Sequence, residues 1–223
     1  MWMDEVAQKK KRGNRILFSK DSLFLQDLRM LLEGRNRRVM VLWALDLAEQ
    51  TVERLEESCP TDPRPRFALE AARAWASGRI RMPVARRAIL DCHAMAKELT
   101  APADIARCHA VAQACSVVHT PGHALGLPMY ELTAIVLEQS PDTCRAAVEN
   151  RMDAYMEKLL FWMEQEPVYS GEWAEFLKRE PESRGWPREK EEDATCCPPS
   201  PAGAPGSFPR TGRSPRSGSE KRC

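Results

Sequence analysis

Residues 83–123 read PVARRAILDCHAMAKELTAPADIARCHAVAQACSVVHTPGH. This stretch decides the fold. Ala85, Ile89, Cys92, Ala96 and Leu99 recur at intervals of three and four, as do Ile105, Cys108, Ala112, Cys115 and His119. That period is the buried seam of an amphipathic helix. Thr100-Ala101-Pro102 separates the two runs, with a hydroxyl to cap and a proline where a first-turn N–H is not needed. The same signature returns at Thr120-Pro121 and Ser140-Pro141, every 20 residues. It predicts consecutive helices with almost no loop, packed as antiparallel neighbours. For Pro121, a kink within one long helix is the alternative to a new helix. Pro128 falls inside the next helix and should bend it. The pentads Cys92-His93-Ala94-Met95-Ala96 and Cys108-His109-Ala110-Val111-Ala112 echo each other 16 residues apart. Their small residues would let two backbones approach closely.

Upstream, helix signals continue and strand signals are nearly absent. One helix is expected from about Ser22 to Glu33, stopped by Gly34. A second runs from Arg37 to Ser58 with Val39, Leu42, Trp43, Leu45, Leu47, Val52 and Leu55 buried. After the rigid turn Cys59-Pro60-Thr61-Asp62-Pro63, a third begins near Pro65 and closes at Gly78. Pro83 opens the fourth, to about Leu99. Downstream, one helix should span Pro141 to Glu166 and a short last one should hold Trp173, Phe176 and Leu177. The fold class is all-α, a single domain of about seven or eight antiparallel helices. The organisation expected is a flexible basic N-terminus over 1–18, the helical domain over 19–180 and a disordered tail over 181–223. Residues 194–223 hold six prolines, four glycines and five serines. Such a composition cannot offset its ordering entropy by burial.

The chain has 223 residues, 33 basic and 32 acidic, for a net charge of +1. Five of those bases and one acid lie in 194–223, which leaves residues 1–193 with 28 against 31, or −3. That balance argues against a dedicated nucleic-acid binder, which carries a clear basic excess. No run of 18 apolar residues is present to span a membrane. The basic N-terminal cluster Lys9-Lys10-Lys11-Arg12 is not followed by a secretory apolar stretch. A cytoplasmic protein with reduced cysteines is expected.

All four histidines, His93, His109, His119 and His123, fall within 31 residues together with Cys92, Cys108 and Cys115. Imidazole and thiolate are metal ligands and nucleophiles. Cys115, His119 and His123 lie at intervals of four, the spacing of ligands on one helical face, and are the candidate metal set, with His93 as a further ligand. The competing reading is satisfied histidines at helix junctions and inert buried thiols, which the apolar seam favours. No HExxH, no glycine-rich phosphate loop and no folded CxxC occurs. A buried thiol is a poor nucleophile, so a cysteine hydrolase is disfavoured. No cofactor is expected. A second candidate surface is the third helix. Arg66, Glu70 and Arg73 lie three and four apart and make either an exposed ion-pair ladder or, with Arg64 and Trp75, a partner-binding face. Trp75 is expected in the core, with Arg64 or Arg73 answering a carboxylate or helix-end carbonyls.

Asp62-Pro63-Arg64-Pro65, Ala68, Glu70-Ala71, Arg73, Trp75 and Gly78, then Val118-His119-Thr120-Pro121-Gly122-His123-Ala124-Leu125-Gly126 and Tyr130, resemble the immunity-protein-five-like family of bacterial polymorphic toxin systems. Trp43-Ala44 and Ala48-Glu49 fit the same pattern. The resemblance covers about 40–136, with weaker continuation to about 177, and departs at Pro128. It implies an all-helical protein made beside a toxin, which protects its producer by binding that cognate toxin. It implies no catalytic residues. The alternative function is a metal-binding helical protein, or a metal-dependent enzyme, centred on residues 93–123.

Overall fold

A computed structural model describes residues 2–139 and 141–179. Among them are nine α-helices and no strand. The helices are α1 (Trp2–Lys11), α2 (Gln26–Leu32), α3 (Arg37–Ser58), α4 (Arg64–Ala76), α5 (Met82–Met95), α6 (Pro102–Ser116), α7 (Gly126–Glu138), α8 (Pro141–Gln165) and α9 (Glu175–Lys178). Short 3-10 turns precede α2 and α7 and follow α8. The expected tail, 181–223, and the expected cap at Ser140 lie outside the described residues.

The centre is α6, which contacts α3, α4, α5 and α7. Its sequence explains this position. Alanine and cysteine at Ala103, Ala106, Cys108, Ala110, Ala112, Ala114 and Cys115 give a thin cylinder, buried nearly all round. A helix apolar on every side belongs in a core, not on its edge. One seam was the sequence expectation; four neighbours reach this helix because its side chains are short. Four polar residues, Asp104, Arg107, Gln113 and Ser116, are buried with it. Arg107 meets Asp104 at 2.8 Å and pairs with Glu138 on α7. Gly126 opens α7 against α6, and a Cβ there would sit 2.5 Å from Gln113 Oε1. Only glycine permits that approach.

A buried network ties α3, α7 and α8 together. Glu131 on α7 accepts from Thr51 at 2.9 Å, from Tyr155 at 2.6 Å and from Arg151 at 2.9 and 3.1 Å. Burial pushes the Tyr155 hydroxyl well above the usual phenol range, so it remains a donor. Beside it, Trp43 of α3 is fully buried and donates its indole N–H to the Tyr155 carbonyl at 2.9 Å.

Three details differ from expectation. First, α1 forms within the segment 1–18, where a flexible basic N-terminus was expected. Trp2 packs on Phe24 and Phe18 with ring centroids 5.1 and 5.8 Å apart, Val6 is buried one turn on, and Lys9 pairs with Glu5 at 2.6 Å. Second, Pro128 lies in the first turn of α7, where its missing N–H costs nothing, so it bends no helix. Pro121 starts a 3-10 turn, neither an α-helix nor a kink within one. Third, the expected hydroxyl caps are not made at Thr100 or Thr120: Ala101 is the N-cap of α6, and Thr120 makes no side-chain cap bond. The end of α4 follows expectation. Gly78 takes a left-handed φ of 78°, and its bare Cα lets Ala174 approach, whose N–H donates to the Ala76 carbonyl at 2.7 Å. This contact seats the short α9 segment on α4.

Candidate functional site

The candidate metal set is not gathered. Cys115 is fully buried within α6, and burial pushes its thiol up to about 12. His119 lies beyond the end of α6. It is exposed, stacks on Trp75 at 6.1 Å and contacts Thr120 Oγ1 through Nδ1 at 2.7 Å. His123 sits in the 3-10 turn with Nδ1 2.7 Å from Gln113 Oε1. A spacing of four aligns side chains only on continuous α-helix. Here α6 stops at Ser116, and Arg37 takes the Val118 and His119 carbonyls at 2.6 Å each, fixing the chain in a new direction. Among the described residues no group of three His, Cys, Asp or Glu side chains is placed to hold a metal.

What the structure does bring together is the echoed pentads. Cys92 Sγ lies 3.6 Å from the Cys108 carbonyl, and His93 Nδ1 lies 2.9 Å from His109 Nδ1. Tyr130 of α7 closes the other side of His109 at 5.1 Å between rings. The two imidazoles share one proton on the line between them, since one nitrogen must donate and the other accept. Burial, then the neighbouring His109 and His123, pulls His93 down to about 4; burial also lowers His109. Burial drives the Cys92 thiol well above its ordinary value and Cys108 up to about 12. These groups are therefore neutral at pH 7 and form a packed polar seam between α5 and α6. Such thiols are poor nucleophiles.

The seam carries a pH prediction. The His93 value folded lies below its unfolded value of 6.5, so the unfolded chain binds more protons between these limits. Stability from this group is complete above pH 6.5 and is lost as pH falls to about 4, by about 3 kcal/mol. Urea midpoints measured across that window should fall for the wild type and flatten for His93→Gln. An equally steep fall in the variant would assign the loss to other groups.

The three arginines of the candidate partner face are already engaged. Arg64 spans Asp62 and Glu98, at 2.5 and 2.6 Å. Arg66 binds Glu49 and Glu56, and Arg73 binds Glu49 at 2.7 Å. Glu70 is exposed, so the expected ladder along α4 is replaced by a clamp of α4 onto the α3 carboxylates. These carboxylates hold Arg66 ionised well beyond its ordinary range, and Arg66 in turn keeps Glu56 below the usual carboxylate value. Trp75 is buried in the core as expected, and its ring also meets His119 at 6.1 Å and Phe176 at 5.7 Å.

Sequence reasoning missed a surface at the C-terminal end of the body. Phe161, Trp162, Tyr169 and Trp173 form a chain of rings 5.0, 6.3 and 5.3 Å apart. A groove of about 500 Å³ runs between these rings, α3 and the end of α4, lined by Leu42, Leu45, Arg79, Trp162, Tyr169 and Trp173. Asp46 accepts from Trp162 Nε1 and from Lys158, both at 2.9 Å, and so fixes the groove wall. The signal in the sequence is the apolar run Leu159-Leu160-Phe161-Trp162-Met163, five in succession. A single buried face cannot cover five successive helical residues.

No curated protein and no solved structure matches the chain. A family model described as Imm-5 like putative immunity protein matches residues 30–158, from the end of α2 through most of α8. That span is more than half of the chain and contains α6 with the four helices packed on it, α3, α4, α5 and α7, so the chain belongs to this immunity-protein family.

Proposed function

We propose that this protein binds a cognate bacterial toxin in the cytoplasm of the producing cell and neutralises it by occupying its surface, without catalysis. The observation that carries this reading is the extent of the family match. It spans α3 to α7 and most of α8 without a break, so the family's character attaches to the helices around α6 and not to an appendage. Two features support it. The buried thiols are held protonated, which suits packing better than nucleophilic chemistry. Arg66 and Arg73 of α4 serve the α3–α4 joint, which makes a rigid platform; a preformed surface binds with less ordering cost.

Co-expression provides the test. The C-terminal toxic domain of the toxin encoded beside this protein should arrest growth when induced alone. Induction together with this chain should restore growth, and the two should purify as one complex. Arrest that persists with both proteins soluble, together with no complex, would remove the reading.

A further inference from the structure

The outer face of α8 is an unpartnered stripe among the described residues. Asp153, Glu157, Leu160, Phe161 and Glu164 lie within about 100° of one another on the helix, at 100° per residue. All five are exposed, with Leu160 and Phe161 at 50% and 46%. From Glu149 to Glu175 the chain has seven acids and two bases. Both bases are spent inward. Arg151 holds Glu131 at 2.9 Å, and Lys158 holds Asp46 at 2.9 Å while lying 5.7 Å from the Phe161 ring centre. Asp153, Glu157 and Glu164 form no ion pair among the described residues. Two large apolar side chains are thus framed by carboxylates along the helix, and the aromatic corner at Trp162 adjoins them.

We propose that this face of α8 docks a basic protein surface that presents an apolar or aromatic anchor to Leu160 and Phe161. The proposal rests on the toxin-neutralising reading and names the charge of the toxin surface that it requires. The stripe itself selects this occupant. An acidic partner is repelled. A neutral one strips water from three carboxylates and returns nothing. A second copy packed about a two-fold axis sets the same acids against each other. A basic surface answers all three carboxylates while covering the apolar pair, and its approach is steered by their field. The segment 194–223, five bases and one acid, has the right sign and is the rival occupant.

Full-length protein and the adjacent toxin's C-terminal domain test this by calorimetry. Between about 50 and about 300 mM salt, wild-type affinity should fall at least roughly tenfold. The triple variant Asp153→Lys, Glu157→Lys, Glu164→Lys should bind roughly 100-fold or more weakly with a flatter salt dependence. Leu160→Ser with Phe161→Ser should weaken binding at least roughly tenfold. Both variants should melt within a few degrees of wild type, since the altered side chains are exposed. Glu53→Lys, an exposed reversal on α3, is the control and should bind as wild type. A wild type that does not bind removes the toxin reading itself. Wild-type binding with an equally tight triple variant overturns this face alone. Toxin affinity that rises more than about threefold on truncation after residue 179 would give the face to the tail. A wild-type dimer broken by Phe161→Ser would give it to a second copy.

Discussion

Replacing Arg151 by alanine should lower stability by about 3–5 kcal/mol, the cost of leaving one member of a buried ion pair uncompensated. The Arg151 and Glu131 side chains are only 14% and 11% exposed, and three helices meet at that carboxylate. With the guanidinium gone, Glu131 keeps Thr51 and Tyr155 as donors but holds an unanswered charge. At this chain length the loss corresponds to a fall in melting temperature of roughly 10 °C or more. Glu131→Gln in the same background should recover most of it, because a neutral amide can still accept from Thr51. A single variant that melts within two or three degrees of wild type would show that water reaches the network and that it does not hold α7 to α8.

Trp43→Ala should cost about 3–5 kcal/mol, the usual range for a fully buried aromatic. Trp43 is fully buried, edge-on to Tyr155 at 6.4 Å, and its N–H is satisfied by the Tyr155 carbonyl. Trp43→Phe keeps most of the volume and should cost only about 1–2 kcal/mol, a smaller void plus one hydrogen bond. Chemical denaturation of the pair separates the two contributions. Equal losses for Ala and Phe would assign the effect to the indole N–H and not to packing. Both Trp43 and Arg151 act on Tyr155, so the two losses should not add.

The helical architecture was legible because it is written in local patterns. α3 runs from Arg37 to Ser58 as its apolar spacing predicts, and Gly34 and Gly78 stop their helices in left-handed conformation. What was not legible depends on residues far apart in sequence. α1 has two buried-side apolar residues, Trp2 and Val6, among charges, and it is held by Phe18 and Phe24 in another segment. The distribution of arginines also misled. Arg66, Glu70 and Arg73 share a local face, yet Arg66 and Arg73 reach across to α3, where both meet Glu49.

The histidine region shows both outcomes side by side. Periodicity assumes that a helix continues, and α6 ends before His119 does, so the set Cys115, His119 and His123 is dispersed. The pentad echo required no such assumption. Two copies of a small-residue pattern on adjacent helices place cysteine near cysteine and histidine on histidine. The aromatic corner was hidden for a further reason: periodicity finds what is buried, and a docking face is recognised by apolar residues that stay exposed.

The central claim is stoichiometric neutralisation by surface occupation. Titration of this protein into a fixed concentration of the toxin's C-terminal domain, following toxin activity, tests it most directly. Activity should fall linearly and reach zero at one equivalent, well above the dissociation constant. Loss of activity at a small fraction of an equivalent, growing with time, would mean that the protein acts catalytically on the toxin and would contradict the account, as would full activity at an excess.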